Sequence, residues 1–334
     1  MNSNASENSA PASGTDSSPG LKSSSGGGAG GSASGSASVN ARAWQITRLS
    51  PNKGPSLRYG VSLPTGFTTE QMARFVVFIN GRTEWIEKYA HLPVDLQLED
   101  DIGFLTWDHR GQGASGGERA FIEDYEEYTD DAHRVLHRIV KRKPYIVIGH
   151  SMGGLIALHA IMKGLLKPDV LVLSSPLLGL PGKPLPSVLA RPIANILGRI
   201  PSACRLSSGA GAFSKGPFEG NALTSDFDRY EFLKATPYPL GGVKFGWVRA
   251  TFEAIDFVND PYNLKKFNTP TLILSGSDER VVDPGAIQTW IQNAVAHTTA
   301  RIEFNVIHGA RHELFSETPT YYQKAIDLVR QFID

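Results

Sequence analysis

Tyr145-Ile146-Val147-Ile148-Gly149-His150-Ser151-Met152-Gly153-Gly154 decides the architecture of this chain. Four residues of β-forming, apolar character run into a G-x-S-x-G pattern, and an apolar helical stretch, Met152–Lys163, follows without a linker. A serine on so tight a strand-to-helix turn is pushed clear of the backbone, where a base can reach its hydroxyl. The flanking glycines leave room where side chains would meet the neighbouring strand and helix. The helix N-terminus behind the serine favours developing negative charge.

Working outward, short β-rich runs recur at Trp44–Leu49, Leu57–Val61, Phe75–Ile79, Ile102–Trp107, Tyr145–Ile148, Val170–Leu173, Thr271–Leu274 and Ile302–Val306. The later ones are continuously apolar, as strands covered on both faces of a parallel sheet are. Helical periodicity lies between them at Trp85–Leu98, Glu127–Arg142, Met152–Lys163 and Tyr321–Phe332. Alternation of this kind predicts an α/β chain with a mostly parallel central sheet and helices on both faces. Between Leu177 and Leu264 the rhythm stops, and a structureless loop of that length is improbable in a compact domain. The segment reads as an inserted helical cap, beginning with a helix at Ser187–Leu197. The predicted organisation is a Ser/Gly-rich disordered tail over 1–43, a core over 44–176 and 266–334, and a cap over 177–265.

The 334 residues carry 33 basic and 33 acidic side chains, so no global field draws in nucleic acid. No apolar run approaches the roughly 20 residues of a spanning helix, and the N-terminus lacks the basic start and apolar stretch of a signal peptide. The expected location is the cytoplasm, with contact to the inner face of a membrane open to the cap. The lone Cys204 rules out an internal disulfide and reads as a passive thiol.

A serine hydroxyl needs a base, and the base needs a carboxylate to fix its tautomer. His312 follows the last strand by the short loop Ile307-His308-Gly309-Ala310-Arg311, and Asp278 follows the strand Thr271–Leu274. The order Ser151, Asp278, His312 is that of α/β-hydrolases. His308 is the rival base, and Asp283 and Glu279 are rival acids. The oxyanion donors are expected to be the backbone N–H of Met152 and that of Arg82, in the turn Asn80-Gly81-Arg82-Thr83. Gly81 and His150 are placed at the substrate. Gly111-Gln112-Gly113-Ala114-Ser115-Gly116 spells a dinucleotide pattern, but no apolar helix opens behind it and no acidic residue waits after the next strand, so a dinucleotide is not expected.

These stretches resemble the lysophospholipase and monoacylglycerol lipase group of α/β-hydrolases. The resemblance spans about residues 44–334. It is carried by Gly81-Arg82 with Glu84, Lys88 and Tyr89, by Asp108-His109-Arg110-Gly111-Gln112-Gly113, and by Gly149-His150-Ser151-Met152-Gly153-Gly154. Asn221-Ala222-Leu223-Thr224, Trp247-Val248-Arg249 and Gly309-Ala310-Arg311-His312-Glu313 extend it. It implies hydrolysis of a single-chain lipid ester through an acyl-enzyme on Ser151, without metal or cofactor. A general carboxylesterase, a thioesterase, or a silent binding protein of the same fold are the alternatives. Many members have His where this chain has Asn80.

Residues Leu177–Pro217 hold Lys183, Arg191, Arg199, Arg205 and Lys215 and no acidic residue. The expected partner is a small lipid ester, with peripheral contact between this basic, apolar cap and an anionic membrane surface. A plain solvated helix face is the other reading.

Overall fold

The computed structural model describes residues 41–50, 54–180, 187–209 and 216–334. The expected tail therefore lies outside the described residues, apart from its last few positions. Arg42 and Ala43, assigned above to the tail, already belong to the first strand, β1 (Arg42–Leu49). That strand pairs along its whole length with β2 (Leu57–Pro64), which supplies the ladder that holds it.

The sheet has eight strands in the order β1-β2-β4-β3-β5-β6-β7-β8. The others are β3 (Arg74–Ile79), β4 (Ile102–Trp107), β5 (Tyr145–His150), β6 (Val170–Ser174), β7 (Thr271–Gly276) and β8 (Ile302–Ile307). β1 and β2 are antiparallel to their neighbours and every pairing from β4 to β8 is parallel. The central strands β3, β5 and β7 are buried almost residue by residue, which explains their continuous apolar reading.

One face is covered by α2 (Glu126–Ile139), α3 (Met152–Met162) and α8 (Pro284–His297), whose apolar side chains join the larger core. The other is covered by α1 (Leu92–Asp95) and α9 (Pro319–Ile333). The single helix predicted over Trp85–Leu98 is two pieces, a 3-10 turn at Ile86–Tyr89 and then α1. Pro93 at the start of α1 has no N–H to carry a continuous ladder through this point. Helix α8 was not anticipated. Asp283 is its N-cap, accepting from the Gly285 N–H at 2.8 Å, and Pro284 opens its first turn.

Between β6 and β7 lie α4 (Ser187–Leu197), α5 (Phe227–Lys234), α6 (Phe245–Asn259) and α7 (Pro261–Leu264). Helix α6 is not a detached lid. Its Ala250, Ala254 and Val258 are buried in the main core, and Phe257 packs on His159 of α3 with ring centroids 4.5 Å apart. No described helix is long and apolar enough to cross a membrane.

The glycines around Ser151 are set by contact. A Cβ at Gly149 would lie 2.8 Å from the Gly154 Cα, and one at Gly153 would overlap the carbonyl oxygen of Ile79 in β3. Gly153→Ala is expected to destabilise the chain by roughly 3 kcal/mol or more, since backbone cannot yield to it. Gly164→Ala, in open space at φ 74°, should cost only about 1–2 kcal/mol. Urea unfolding of the two variants checks the difference.

Candidate active site

Ser151 sits at the junction of β5 and α3 with φ 52° and ψ −117°, a conformation that a non-glycine residue holds only under constraint. The constraint is visible. Its N–H donates to the Ser174 carbonyl at 2.9 Å, and its carbonyl accepts from the N–H of Gly154 at 3.0 Å and of Leu177 at 2.9 Å. Met152 is the first residue of α3, so its N–H belongs to the orphan donors at the helix start.

His312 lies on the loop after β8 and is buried. Its Nδ1 meets Glu279 Oε2 at 2.8 Å. The other Glu279 oxygen accepts from the N–H of Val281 at 2.7 Å and of Val282 at 3.1 Å. The carboxylate that meets His312 is therefore Glu279, where Asp278 was expected. Asp278 turns outward, with its side chain 36% exposed, and pairs with Arg280 at 2.7 Å and more loosely with Arg311 at 3.5 Å. Both residues follow β7, where Gly276 packs against the 310–311 backbone and the Asp278 N–H donates to the Ala310 carbonyl at 3.0 Å. The chain is thereby fixed so that Glu279, not its neighbour, faces the imidazole. Of the rivals, Asp283 caps α8 and His308 is exposed.

The electrostatics follow from this pairing. Burial pushes the Glu279 carboxyl up, but the charge and hydrogen bond of His312 and the two amide N–H groups outweigh it, leaving the group below its ordinary range. Burial likewise pushes His312 down, and Glu279, with Glu313 and Glu84 behind it, raises it above its ordinary value.

The turn at 80–83 is held from three sides. Asn80 donates through Nδ2 to the Trp107 carbonyl at 2.9 Å. The Asn80 carbonyl accepts from His109 Nε2 at 2.9 Å, and burial lowers His109 to about 4, so the ring is neutral at pH 7. The Thr83 N–H, at positive φ, donates to Gln112 at 2.7 Å. The glycine-rich run at 111–116 is therefore a buttress. Asp108 accepts from the N–H groups of Ile86 at 3.0 Å and Ala114 at 2.8 Å.

Gly81 lies against Ser151, since a Cβ there would sit 3.2 Å from the Ser151 Cβ. Its N–H donates to Glu84. His150 was expected at the substrate, and the structure puts it behind the wall instead. Its ring lies 4.9 Å from that of His312, Nδ1 meets Ser174 Oγ at 3.2 Å, and Nε2 is 3.4 Å from Glu313. Ser151 borders the cavity, and its predecessor in the strand does not.

Glu84, His150 and Glu313 could by geometry bind a metal. Lys88 takes that role here, with its ammonium between Glu84 and Glu313 Oε2, the latter at 2.7 Å. The lysine is fully buried, and the two carboxylates raise it despite the cost of burial. Sequence reading found these residues only through the family likeness, because Lys88 and Glu313 are 225 positions apart.

Ser151, Met152, Arg82 and His312 all line one cavity of about 660 Å³, walled otherwise mainly by apolar side chains such as Leu177, Leu233, Val248 and Phe252. The segment at 221–225 clamps its rim. The Glu313 N–H donates to the Leu223 carbonyl at 2.9 Å, and Thr224 Oγ1 to the Ser316 carbonyl at 2.7 Å.

A model of the serine aminopeptidase S33 family matches residues 70–319. The chain belongs to that family. It is 30% identical over 285 residues to lysophospholipase L2 of Escherichia coli, covering 80% of this chain and 82% of that one. It is 28% identical over 273 residues to the probable lysophospholipase L2 of Haemophilus influenzae, covering 78% and 84%. A soluble variant of the Saccharomyces cerevisiae monoglyceride lipase, solved with a substrate analogue, superposes with a TM-score of 0.68 at 21% identity, over 87% of this chain and 94% of that one. The fold is that of the α/β-hydrolases, and this member is a serine hydrolase.

The Glu279 pairing has a direct spectroscopic consequence. The NMR titration midpoint of His312 should lie above the ordinary 6.5. Glu279→Gln removes the charge that opposes burial, so the midpoint should fall. Asp278→Asn, in a solvent-screened pair, should scarcely move it.

Proposed function

We propose that this protein hydrolyses single-chain lipid esters, lysophospholipids or monoacylglycerols, through an acyl-enzyme on Ser151. The observation that carries the reading is the His312–Glu279 pair, 2.8 Å apart, whose imidazole borders the same mainly apolar cavity as a strained serine. His312 takes the Ser151 proton, Glu279 holds the imidazole in the productive tautomer, and the N–H groups of Met152 and Arg82 receive the oxyanion. The glycerol-containing alcohol leaves, and water activated by His312 releases the fatty acid. A mainly apolar cavity with Ser151 and His312 in its wall suits an acyl chain with its ester at the serine, and the relatives at 28–30% identity carry the names lysophospholipase L2 and probable lysophospholipase L2.

Peripheral contact with a lipid surface belongs to the same proposal, but on apolar rather than basic grounds. Arg191 pairs with Asp256 at 2.7 Å, Arg199 with Glu253 at 2.8 Å and Arg205 with Glu118 at 3.1 Å. The basic excess read from the cap is met by acids from α6 and the core, and Lys183 and Lys215 lie outside the described residues. Along α4 and just beyond it, Leu189, Ile193, Ile196 and Ile200 are exposed at helical spacing, and Ile193 also borders the cavity. Such a stripe seats in a lipid interface and places the cavity near its substrate.

Two measurements test the reading. Ser151→Ala should abolish hydrolysis of a panel of lysophospholipids, monoacylglycerols and short esters, together with fluorophosphonate labelling. Glu279→Gln should lower kcat by roughly 10²–10⁴-fold. Retained turnover in Ser151→Ala would overturn the assignment. Separately, Ile196→Glu with Ile200→Glu should weaken sedimentation with neutral phosphatidylcholine vesicles. Arg191→Ala with Arg199→Ala should leave sedimentation with anionic phosphatidylglycerol vesicles unchanged, and a loss there would restore the electrostatic account.

A further inference from the structure

Thr83 holds φ 68°, a conformation that a β-branched residue takes only when its surroundings impose it. The residue borders the cavity and directly follows Arg82. Its N–H donates to Gln112 Oε1 at 2.7 Å, and its hydroxyl donates back to the Arg82 carbonyl. At the other end of the turn the Asn80 carbonyl accepts from His109, and the Gly81 N–H donates to Glu84. The peptide units before Gly81 and after Arg82 are thus both pinned by side chains. The unit between them, which carries the Arg82 N–H, has its direction set by that bracket.

Gln112 owes its place to the glycines on either side. Gly111 and Gly113 take φ 68° and 49°, and a Cβ there would overlap the Glu118 carbonyl and the Asp108 carboxylate respectively. The loop closes on itself without the glutamine side chain. The Gly111 N–H donates to the Gly116 carbonyl at 2.8 Å, the Ala114 N–H to Asp108 at 2.8 Å, and Ser115 Oγ to the Asp108 carbonyl at 2.6 Å. The buried amide of Gln112 is directed elsewhere. Its oxygen meets Thr83, and its Nε2 lies 3.8 Å from Met152 Sδ and 3.4 Å from the Tyr128 hydroxyl. It therefore reaches both segments that offer oxyanion donors, from behind the cavity wall.

We propose that Gln112 is a positioning residue, whose side chain holds the Arg82 N–H, through Thr83 and against Met152, in the geometry that the tetrahedral intermediate requires. When Ser151 Oγ bonds the ester carbon, its proton passes to His312 and the carbonyl π pair moves onto the oxygen. The donors must already point to where that charge will stand. This role rests on the hydrolase reading of the site, and it gives the glycine-rich run at 111–116 a part in the reaction.

Gln112→Leu, which removes the acceptor at similar volume, tests it in the full chain, with thermal melting to confirm that each variant is folded. Turnover is measured on decanoylglycerol and on decanoyl lysophosphatidylethanolamine. The variant's kcat should fall on the order of ten- to a hundredfold, as for a misplaced reacting group, with KM little changed. Binding of decyl trifluoromethyl ketone, to whose carbonyl the Ser151 hydroxyl adds, should weaken by a similar factor. Binding of the non-hydrolysable decylglycerol ether should not change. Equal losses for ketone and ether would make Gln112 a packing residue and overturn the proposal. Thr83→Gly gives an independent check, because glycine takes positive φ without strain. In that background Gln112→Leu should cost less kcat than in the wild type. An equal cost would mean that the effect does not pass through Thr83, and would also overturn the proposal. A wild type that cleaves neither ester and does not bind the ketone refutes the hydrolase reading and the positioning role with it. One that cleaves an ester, with kcat unaltered by Gln112→Leu, refutes the positioning role alone.

Discussion

A single buried ammonium ties together the parts of this site. Lys88 reaches Glu84, which accepts the Gly81 N–H in the turn at 80–83, and Glu313, which adjoins His312. His150, the residue before Ser151, lies 3.4 Å from Glu313 and packs on the His312 ring. Each of the three segments that meet at the cavity therefore sends one side chain to the same cluster. Removing one member of a buried pair leaves an uncompensated charge and costs roughly 3–5 kcal/mol. That penalty fixes the relative position of three loops whose covalent connection runs through most of the chain.

This arrangement also separates what the sequence could reveal from what it could not. The strands were legible because β3, β5 and β7 are covered on both faces and read as unbroken apolar runs. Ser151 was legible because its turn needs glycines on both sides for steric reasons that act locally. His312 was legible from its position after the last strand. The choice between Asp278 and Glu279 was not, because adjacent carboxylates on one loop differ only in which way the backbone presents them. Arg280 and Arg311 on one side, and the Val281 and Val282 amides on the other, settle it in three dimensions. Charge in the cap misled for a related reason. Arg191 and Arg199 look unbalanced within Leu177–Pro217, yet α6 supplies Asp256 and Glu253 from more than fifty residues away.

The cap and the core share one mechanical frame. Helix α6 is embedded beside α3, while the 221–225 segment is bonded to the loop that carries His312. Arg82 donates to the Gly241 carbonyl of the cap. Displacement of these cap elements would therefore disturb the His312 loop and the 80–83 turn directly. Ile193 of α4 is both exposed and part of the cavity wall.

The charges around His312 carry a further consequence for the proposed cycle. A base must be neutral before it acts and a cation just after. Burial alone would make the imidazole too weak, as it does for His109, held at about 4 with only a carbonyl beside it. At His312 burial is opposed by Glu279 in contact and by Glu313 and Glu84 at longer range. Those two carboxylates are the ones that pair with the Lys88 ammonium, so the buried lysine holds in place the more distant charges that act on the imidazole. In the proposed cycle a carboxylate in contact with Nδ1 stabilises the imidazolium formed during acylation, which makes Glu279 the main electrostatic support of the base.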